Sequence, residues 1–399
     1  MLISNANLAT RRAIGTHVDD DGLIQGNRGP VKAHMLEKIE SEKLVEVYIA
    51  QIKAFAAQSL PKPPGNESKL VEQGGFPRKV HVVEDFQTEI EKRWWLAGRR
   101  EAEEGQIVQN WIMRATLTQD FDDKQGDRSA MYNAVVFNPV PGPPMGPNTR
   151  LSFRYKLKGT DTLRVQIFSL SNGYHRMLSL KGLPNGHDKW RNETEDMTQA
   201  RRPDGTGGPL KEDERIDDIQ FYVDPRADLW IDDIVLFDAA PDDEKEPFPR
   251  HITFTGWFDT GKQGPIGSGR EWPGEFEIVL HEKPRTWDAA RSVVAENGQT
   301  MLRIGLRGMR PLKGEIAIRF KYHLTGEAWM QVALRNSKDD REVKRQAEKL
   351  VKEQWAQMTI RIPAAKAKTD ITEADELIIR IAKGSVLLVD DVLIYEPAE

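Results

Sequence analysis

LWIDDIVLF (Leu229–Phe237) and LLVDDVLIY (Leu387–Tyr395) are one pattern written twice, apolar residues on either side of a pair of aspartates. Two further landmarks precede each copy in the same order. FRYKLKG (Phe153–Gly159) corresponds to FKYHLTG (Phe320–Gly326), leading into LRVQIF in the first copy and WMQVAL in the second, and Trp190 corresponds to Trp355. Landmarks repeated in one order at nearly constant separation mark a tandem repeat of one structural unit.

The runs between the landmarks read as strands. KVHVVEDF, AVVFNPV, RLSFRYKL, LRVQIFSL, IQFYV and LWIDDIVLF are short, β-rich and bounded by turn residues, and PVPGPPMGPN between Asn138 and Asn148 reads as a loop. Regularly spaced strands without intervening helices predict antiparallel β-sandwiches. The run before Trp355, DREVKRQAEKLVKEQW, carries strong helix formers, but its place in the repeat assigns strand and loop, because tertiary context overrides propensity. Upstream, Leu44, Val47, Tyr48, Ile52 and Phe55 recur at helical spacing, which predicts one amphipathic helix within Ala33–Gln58, ending before PKPPGNE. The expected organisation is an N-terminal arm, helix and linker over 1–75, a first sandwich over 76–241 and a second over 249–399, divided in the charged segment APDDEKEPFPR. The chain is thus mainly β, two tandem antiparallel sandwiches preceded by a helix.

Composition narrows the function classes. The 399 residues carry 57 basic and 62 acidic side chains, interspersed, with net charge -5 and no basic stripe for nucleic acid. No apolar run approaches the roughly 20 residues that span a bilayer, and MLISNANLATRR lacks the apolar stretch of a signal peptide. Cysteine is absent, which removes disulfides, thiolate metal sites and cysteine nucleophiles. H-E-x-x-H, G-x-S-x-G and the phosphate loop are missing too, and GPIGSGREWPG reads as a loop without a phosphate-binding lysine. His17 followed by Asp19, Asp20 and Asp21 reads as an acidic turn, because its spacing misses the calcium-loop pattern.

An opening acidic-aromatic strand (Glu84-Asp85-Phe86, Phe258-Asp259), an inner tryptophan-led strand (Trp190, Trp355) and the closing WIDDIVLF and LVDDVLIY resemble carbohydrate-binding modules with the galactose-binding-like jelly roll. The resemblance covers roughly Gly75 to Glu399 and implies jelly-roll sandwiches in a secreted bacterial protein, hence an extracellular or periplasmic setting. It also implies structural calcium, held in the first unit by Asp232 with Glu84 or Asp85 and in the second by Asp390 with Asp259. By strand alternation alone, Asp232 shares a face with Trp230, Ile234 and Leu236, and Asp233 with Ile231 and Val235. A carboxylate at the border of a core needs a cation or hydrogen-bond donors, and donors from loop amides or an arginine are the alternative to calcium.

Ten tryptophans supply aromatic faces for stacking on sugars. The candidate ligand-binding residues are Trp94, Trp95, Trp111, Tyr132, the cluster Tyr174-His175-Arg176 at an expected hairpin tip, Trp272, Trp287 and Trp329, whereas Trp190, Trp230 and Trp355 are assigned to the core. The leading function is a non-catalytic carbohydrate-binding or accessory protein of a polysaccharide-handling system, with a polysaccharide or glycan as partner. One alternative is an assembly protein that docks a partner or a second copy through Leu44, Val47, Ile52 and Phe55. Another is a polysaccharide lyase or hydrolase using Tyr174, His175 and Arg176.

Overall fold

The computed structural model describes residues 16–18, 24–26, 29–30 and 76–398, apart from 89–93, 106–109, 120–130, 147, 170–173, 185–188, 203, 209, 211–213, 242–245, 269, 283–285 and 365–370. The expected helix within Ala33–Gln58, and with it Leu44, Val47, Ile52 and Phe55, lies outside the described residues. Two compact units are present, Met1–Pro63 and Pro64–Glu399. Described in the first is a three-stranded antiparallel sheet of Thr16–Val18, Ile24–Gly26 and Gly29–Pro30, where the sequence reading had placed only a polar arm.

The described residues of the second unit form four sheets, two for each copy of the repeat. In the first copy one sheet runs Tyr174–Leu180, Leu163–Ser169, Glu214–Val223, Met131–Asn138, Trp94–Ala97. Its mate runs Arg191–Asp196, Thr149–Lys158, Asp228–Pro241, Trp111–Arg114, Arg99–Ala102, and Pro77–Glu84 adds to Asp228–Pro241. The second copy repeats the latter sheet: Ile316–Thr325 lies between Val386–Glu396 and Trp355–Ile362, and His251–Gly256 adds to Val386–Glu396. Opposite it, Thr300–Pro311, Glu373–Ile381, Met330–Asn336 and Arg341–Gln346 are neighbours. Arg341–Gln346 is strand, so position in the repeat prevailed over helix propensity there.

Alternation in the repeated block explains the cores. Phe153, Tyr155 and Leu157 point inward, as do Phe320, Tyr322 and Leu324, and Phe153 meets Phe221 of the opposite sheet edge-on at 4.9 Å. Each block ends on a glycine with positive φ, Gly159 at 86° and Gly326 at 102°, a conformation that disfavours a side chain.

The paired aspartates interrupt that alternation. Ser152 pairs with Val235 and Arg154 with Asp232, so Phe153 alone faces both Asp233 and Ile234. Phe320 faces Asp391 and Val392 in the same way. This is a β-bulge, with Asp233 at φ 48° and Asp391 at φ 49°, a left-handed conformation that aspartate tolerates better than most residues. The bulge flips the strand: Leu229 and Ile231 are core residues, and the core resumes at Ile234 and Leu236. Simple alternation had put Asp232 with Ile234 and Leu236. Asp232 keeps the outer face it shares with Trp230, in register with Arg154, and the extra residue turns Ile234 and Leu236 inward.

Beyond the bulge, Val235 and Phe237 therefore point away from their own core, and so do Leu393 and Tyr395. They bury themselves against each other's sandwich, in an apolar cluster with Phe76, Val80, Phe248 and Ile252. The contacts are reciprocal. Phe76 meets Tyr395 edge-on at 5.0 Å, and the equivalent Phe248 meets Phe237 at 5.4 Å, the signature of an isologous interface related by a local two-fold axis. Polar contacts follow the same exchange: Lys79, which pairs with Asp238, reaches Asp259 at 2.7 Å and Asp391 at 3.1 Å, and His251, which pairs with Glu396, reaches Asp85 at 3.1 Å. The proline-rich loop joins in, since Thr260 Oγ1 donates to the Gly142 carbonyl at 2.8 Å. A Cβ on Gly261 would lie 2.9 Å from Pro141.

Phe237→Ala removes one ring of this shared cluster and is expected to cost about 3–5 kcal/mol, read by equilibrium unfolding in urea; a loss below about 1 kcal/mol, the size of a surface substitution, would contradict the packing described.

Candidate functional site

Several residues singled out by type turn out to be structural. Trp272 is 1% exposed; its ring packs on Trp257 and Phe258, and its Nε1 donates to the Thr260 carbonyl at 2.6 Å. His175 and Arg176 are buried as well. His175 lies 3.0 Å from the Gln220 amide and packs on Phe168, and Arg176 pairs with Glu214 at 3.1 Å while donating to the carbonyls of Ala200 and Gly208. The carbonyls of Ala200 and Gly208 reach Arg176 at this end of the sheet, so His175 and Arg176 are buried where an exposed hairpin tip was expected. Tyr174 begins that strand opposite Ser169, and Trp94 and Trp95 lie in the edge strand paired with Met131–Asn138. Tyr132 and Trp287 are half-buried, Tyr132 on Tyr222 under the Arg164 guanidinium, Trp287 against Trp355 at 4.7 Å. Trp329 is half-buried too.

Trp190 is buried as expected, though outside the two main apolar clusters, whereas Trp230 and Trp355 are half-buried on outer sheet faces and not in the core. Lys156 lies 4.4 Å over Trp230 and 5.6 Å over Trp190, and Arg154 lies 4.2 Å over Trp190. Trp190 and Trp230 donate their indole N–H groups to Glu103 and Glu101. Trp111 is capped likewise by Arg100 at 4.1 Å. These rings are used by protein cations.

The carboxylates implied as calcium ligands are engaged separately. Glu84 accepts from the Phe86 amide at 2.8 Å, Asp85 faces His251, and Asp232 is held by Arg154 and by Asn110 at 3.1 Å. Among the described residues no group of three or more histidine, aspartate or glutamate side chains is placed to hold a metal ion, and the cations beside these carboxylates are protein side chains. In the first copy Arg154 serves Asp232, Asp233 at 3.5 Å and Glu103 at 3.4 Å; burial and the neighbouring Asp233 push the Asp232 carboxyl up, as expected where three carboxylates share one guanidinium. In the second copy Lys79, from the opposite sandwich, meets Asp259 and Asp391, and Lys321 meets Asp391 at 3.1 Å. Burial and Asp391 push Asp390 up, and both of its oxygens are buried. Burial opposes ionisation of Asp391 too, but Lys79 and Lys321 hold it down at about 2.

A concave site lies where the two sandwiches meet. A cleft of about 270 Å³ is walled by His81–Glu84 and Phe137–Pro141 from the first copy and by Trp257, Ile266, Arg270, Pro273 and Arg307 from the second. Val140–Pro141 is cis. Arg307 comes from a disrupted stretch of Thr300–Pro311: pairing jumps from Gly305↔Glu376 to Arg310↔Ala374, and Arg307 takes φ 59°. Such a bulge re-aims a side chain. The Arg307 guanidinium stacks 4.4 Å over Trp272, its Nε donates to the Glu271 carbonyl at 3.0 Å, and its Nη2 is buried with no hydrogen-bond partner among the described residues. His81 lies beside Trp257, and burial, then Lys79, lowers its imidazole to about 3, so it is neutral at ordinary pH.

The acids of the cleft have protein partners: Glu376 pairs with Arg335 at 2.9 Å and Arg303 at 3.7 Å, Asp375 accepts from the Ser337 amide at 2.8 Å, Glu271 accepts from the Lys262 amide at 3.0 Å, and Glu84 closes its own turn. The arrangement offers a forked donor, a neutral imidazole and apolar walls. Sequence reasoning missed Arg270, Arg307 and Ile266. A signal existed in GLRGMRP (Gly305–Pro311), where glycines inside a strand mark a bulge or a close approach.

No family model matches this chain, and no curated protein does. It is similar to the solved tandem CBM22-1–CBM22-2 domain of Paenibacillus barcinonensis Xyn10C, at 12% identity over 81% of this chain and 99% of that one, TM-score 0.27. The family 11 carbohydrate-binding module of the cellulosomal cellulase Lic26A-Cel5E of Clostridium thermocellum is 20% identical over 41% of this chain and 98% of that one, TM-score 0.27. A family 29 module complexed with mannohexaose is 11% identical over 37% and 92%, TM-score 0.27.

Two consequences of the charge clusters are measurable. Arg154→Met leaves three carboxylates without their cation and is expected to cost about 3–5 kcal/mol in urea unfolding, as for other broken buried pairs; a neutral result would mean that Arg154 does not hold the cluster. For His251, burial opposes protonation, but the hydrogen bond and charge of Asp85 prevail and raise it. A raised folded pKa stabilises fully below about 6.5, the ordinary histidine value, and the benefit disappears as pH rises through the folded value. The stability difference between the natural protein and His251→Gln should therefore be larger at pH 5.5 than at pH 8.5. A pH-independent difference would refute the link.

Proposed function

We propose that the protein binds glycan without catalysis, and that the ligand occupies the cleft between the two sandwiches. The observation that carries this reading is the buried Arg307 Nη2, a donor without a partner among the described residues, set beside apolar walls. Small-ligand sites combine such walls with a few fixed polar groups, and the volume lies near the lower end of their range of about 300–1,000 Å³. That is room for one or two sugar rings. Both walls belong to one packed interface, so little ordering is required on binding. The committed carboxylates favour binding over chemistry, because hydrolysis of a glycoside needs a pair free to move protons. An accessory role in polysaccharide handling, outside the cytoplasm, goes with this reading.

A glycan array followed by titration calorimetry tests it. Ile266, 47% exposed at the cleft, offers its side chain to an incoming ring. Ile266→Asp should weaken binding roughly tenfold, the equivalent of losing one partly buried aliphatic contact. Retention of no glycan by folded protein, or unchanged affinity in the variant, would overturn the assignment.

A further inference from the structure

We infer that the glycan taken by the cleft is acidic, and that Arg307 reads a carboxylate on it, with Arg270 at the cleft contributing charge. This deepens the glycan-binding reading and rests on it. Arg307 is held on three sides of its function: Trp272 fixes the plane of the guanidinium, the Glu271 carbonyl takes the Nε proton, and Nη2 is left with an unused N–H in a buried position. A planar fork whose orientation is set beforehand matches a planar carboxylate, and a charge-assisted bond of that kind is about twice as strong as a neutral one.

Charge around the fork points the same way. Burial and then Arg310 push Arg307 down to about 9, with only partial relief from Glu271, so the site carries a cation that its own neighbours do not fully compensate. No ion pair joins Arg307 or Arg270 to an acid among the described residues, whereas Glu376 is paired with Arg335 and Arg303. Arg270 is exposed, which suits steering of an anion into the cleft more than tight recognition. A neutral sugar would occupy the same volume and leave the cation uncompensated.

The test uses the full chain and titration calorimetry with short oligosaccharides containing glucuronate, galacturonate or mannuronate, each beside its methyl ester and a sulfated analogue. At least one acid should bind tenfold or more tightly than its ester. Arg307→Lys, which keeps the charge and loses the fork, should reduce acid binding roughly tenfold with little change for the ester. Arg270→Gln should cost about threefold, and the difference should shrink in high salt. Acid and ester binding equally would overturn the inference while leaving glycan binding intact. A sulfate binding as well as the carboxylate would overturn the assignment of a planar anion. Binding of neither these nor any neutral glycan would bring down the glycan reading itself. Because acid and ester are compared on the unmodified protein, the central result does not depend on any variant folding.

Discussion

Phe237 and Tyr395 face outward from their own sandwiches, on strands whose inner sides are already full. Water is a poor environment for such rings, and the opposite sandwich provides the alternative for each. The remaining features of the larger unit follow from that mutual burial. Lys79 and His251 are brought to acids of the other sandwich, the proline-rich loop reaches Thr260, and a cleft forms where the two sets of walls meet.

The duplicated aspartates show one backbone device completed by two kinds of cation. In both copies the first aspartate faces outward just before the bulge, where burial makes an uncompensated charge expensive. The first copy answers from within, through Arg154 on the adjacent strand. The second has Lys321 at that position, and its shorter reach is supplemented by Lys79 from across the interface. Stability of the second sandwich is thereby tied to docking of the first, since withdrawing Lys79 would leave Asp391 with one cation and Asp390 still buried.

Much of the architecture was legible because alternation and repetition are local properties. FRYKLKG and FKYHLTG announce inward Phe, Tyr and Leu, and repeat position assigned Arg341–Gln346 correctly against its propensity. The bulge was not legible, because one inserted residue at positive φ resets the two-residue period and leaves no mark in residue type. The unbroken apolar runs IVLF and VLIY did hold a clue, since strands apolar on both faces are covered on both faces. For the site, residue type misled: Trp272, His175 and Arg176 have ligand-binding chemistry, but their neighbours consume it. Arg307 has the same chemistry and keeps it. That distinction depends on Trp272 and Glu271, some 35 residues away in the chain.

The local two-fold axis has an evolutionary reading. Two identical subunits paired in this way must present every residue twice, so any change is made on both sides at once and a site at their junction is bound to the symmetry of the pair. Joining the copies in one chain ends that obligation and makes the pairing independent of protein concentration. Lys79 then stands where its counterpart is His251, and Arg154 where its counterpart is Lys321. A cleft with one wall of proline and valine and another bearing arginine and isoleucine is something a symmetric dimer could offer only in duplicate; a fused one has it once, and each half is free to specialise as a different side of the same pocket.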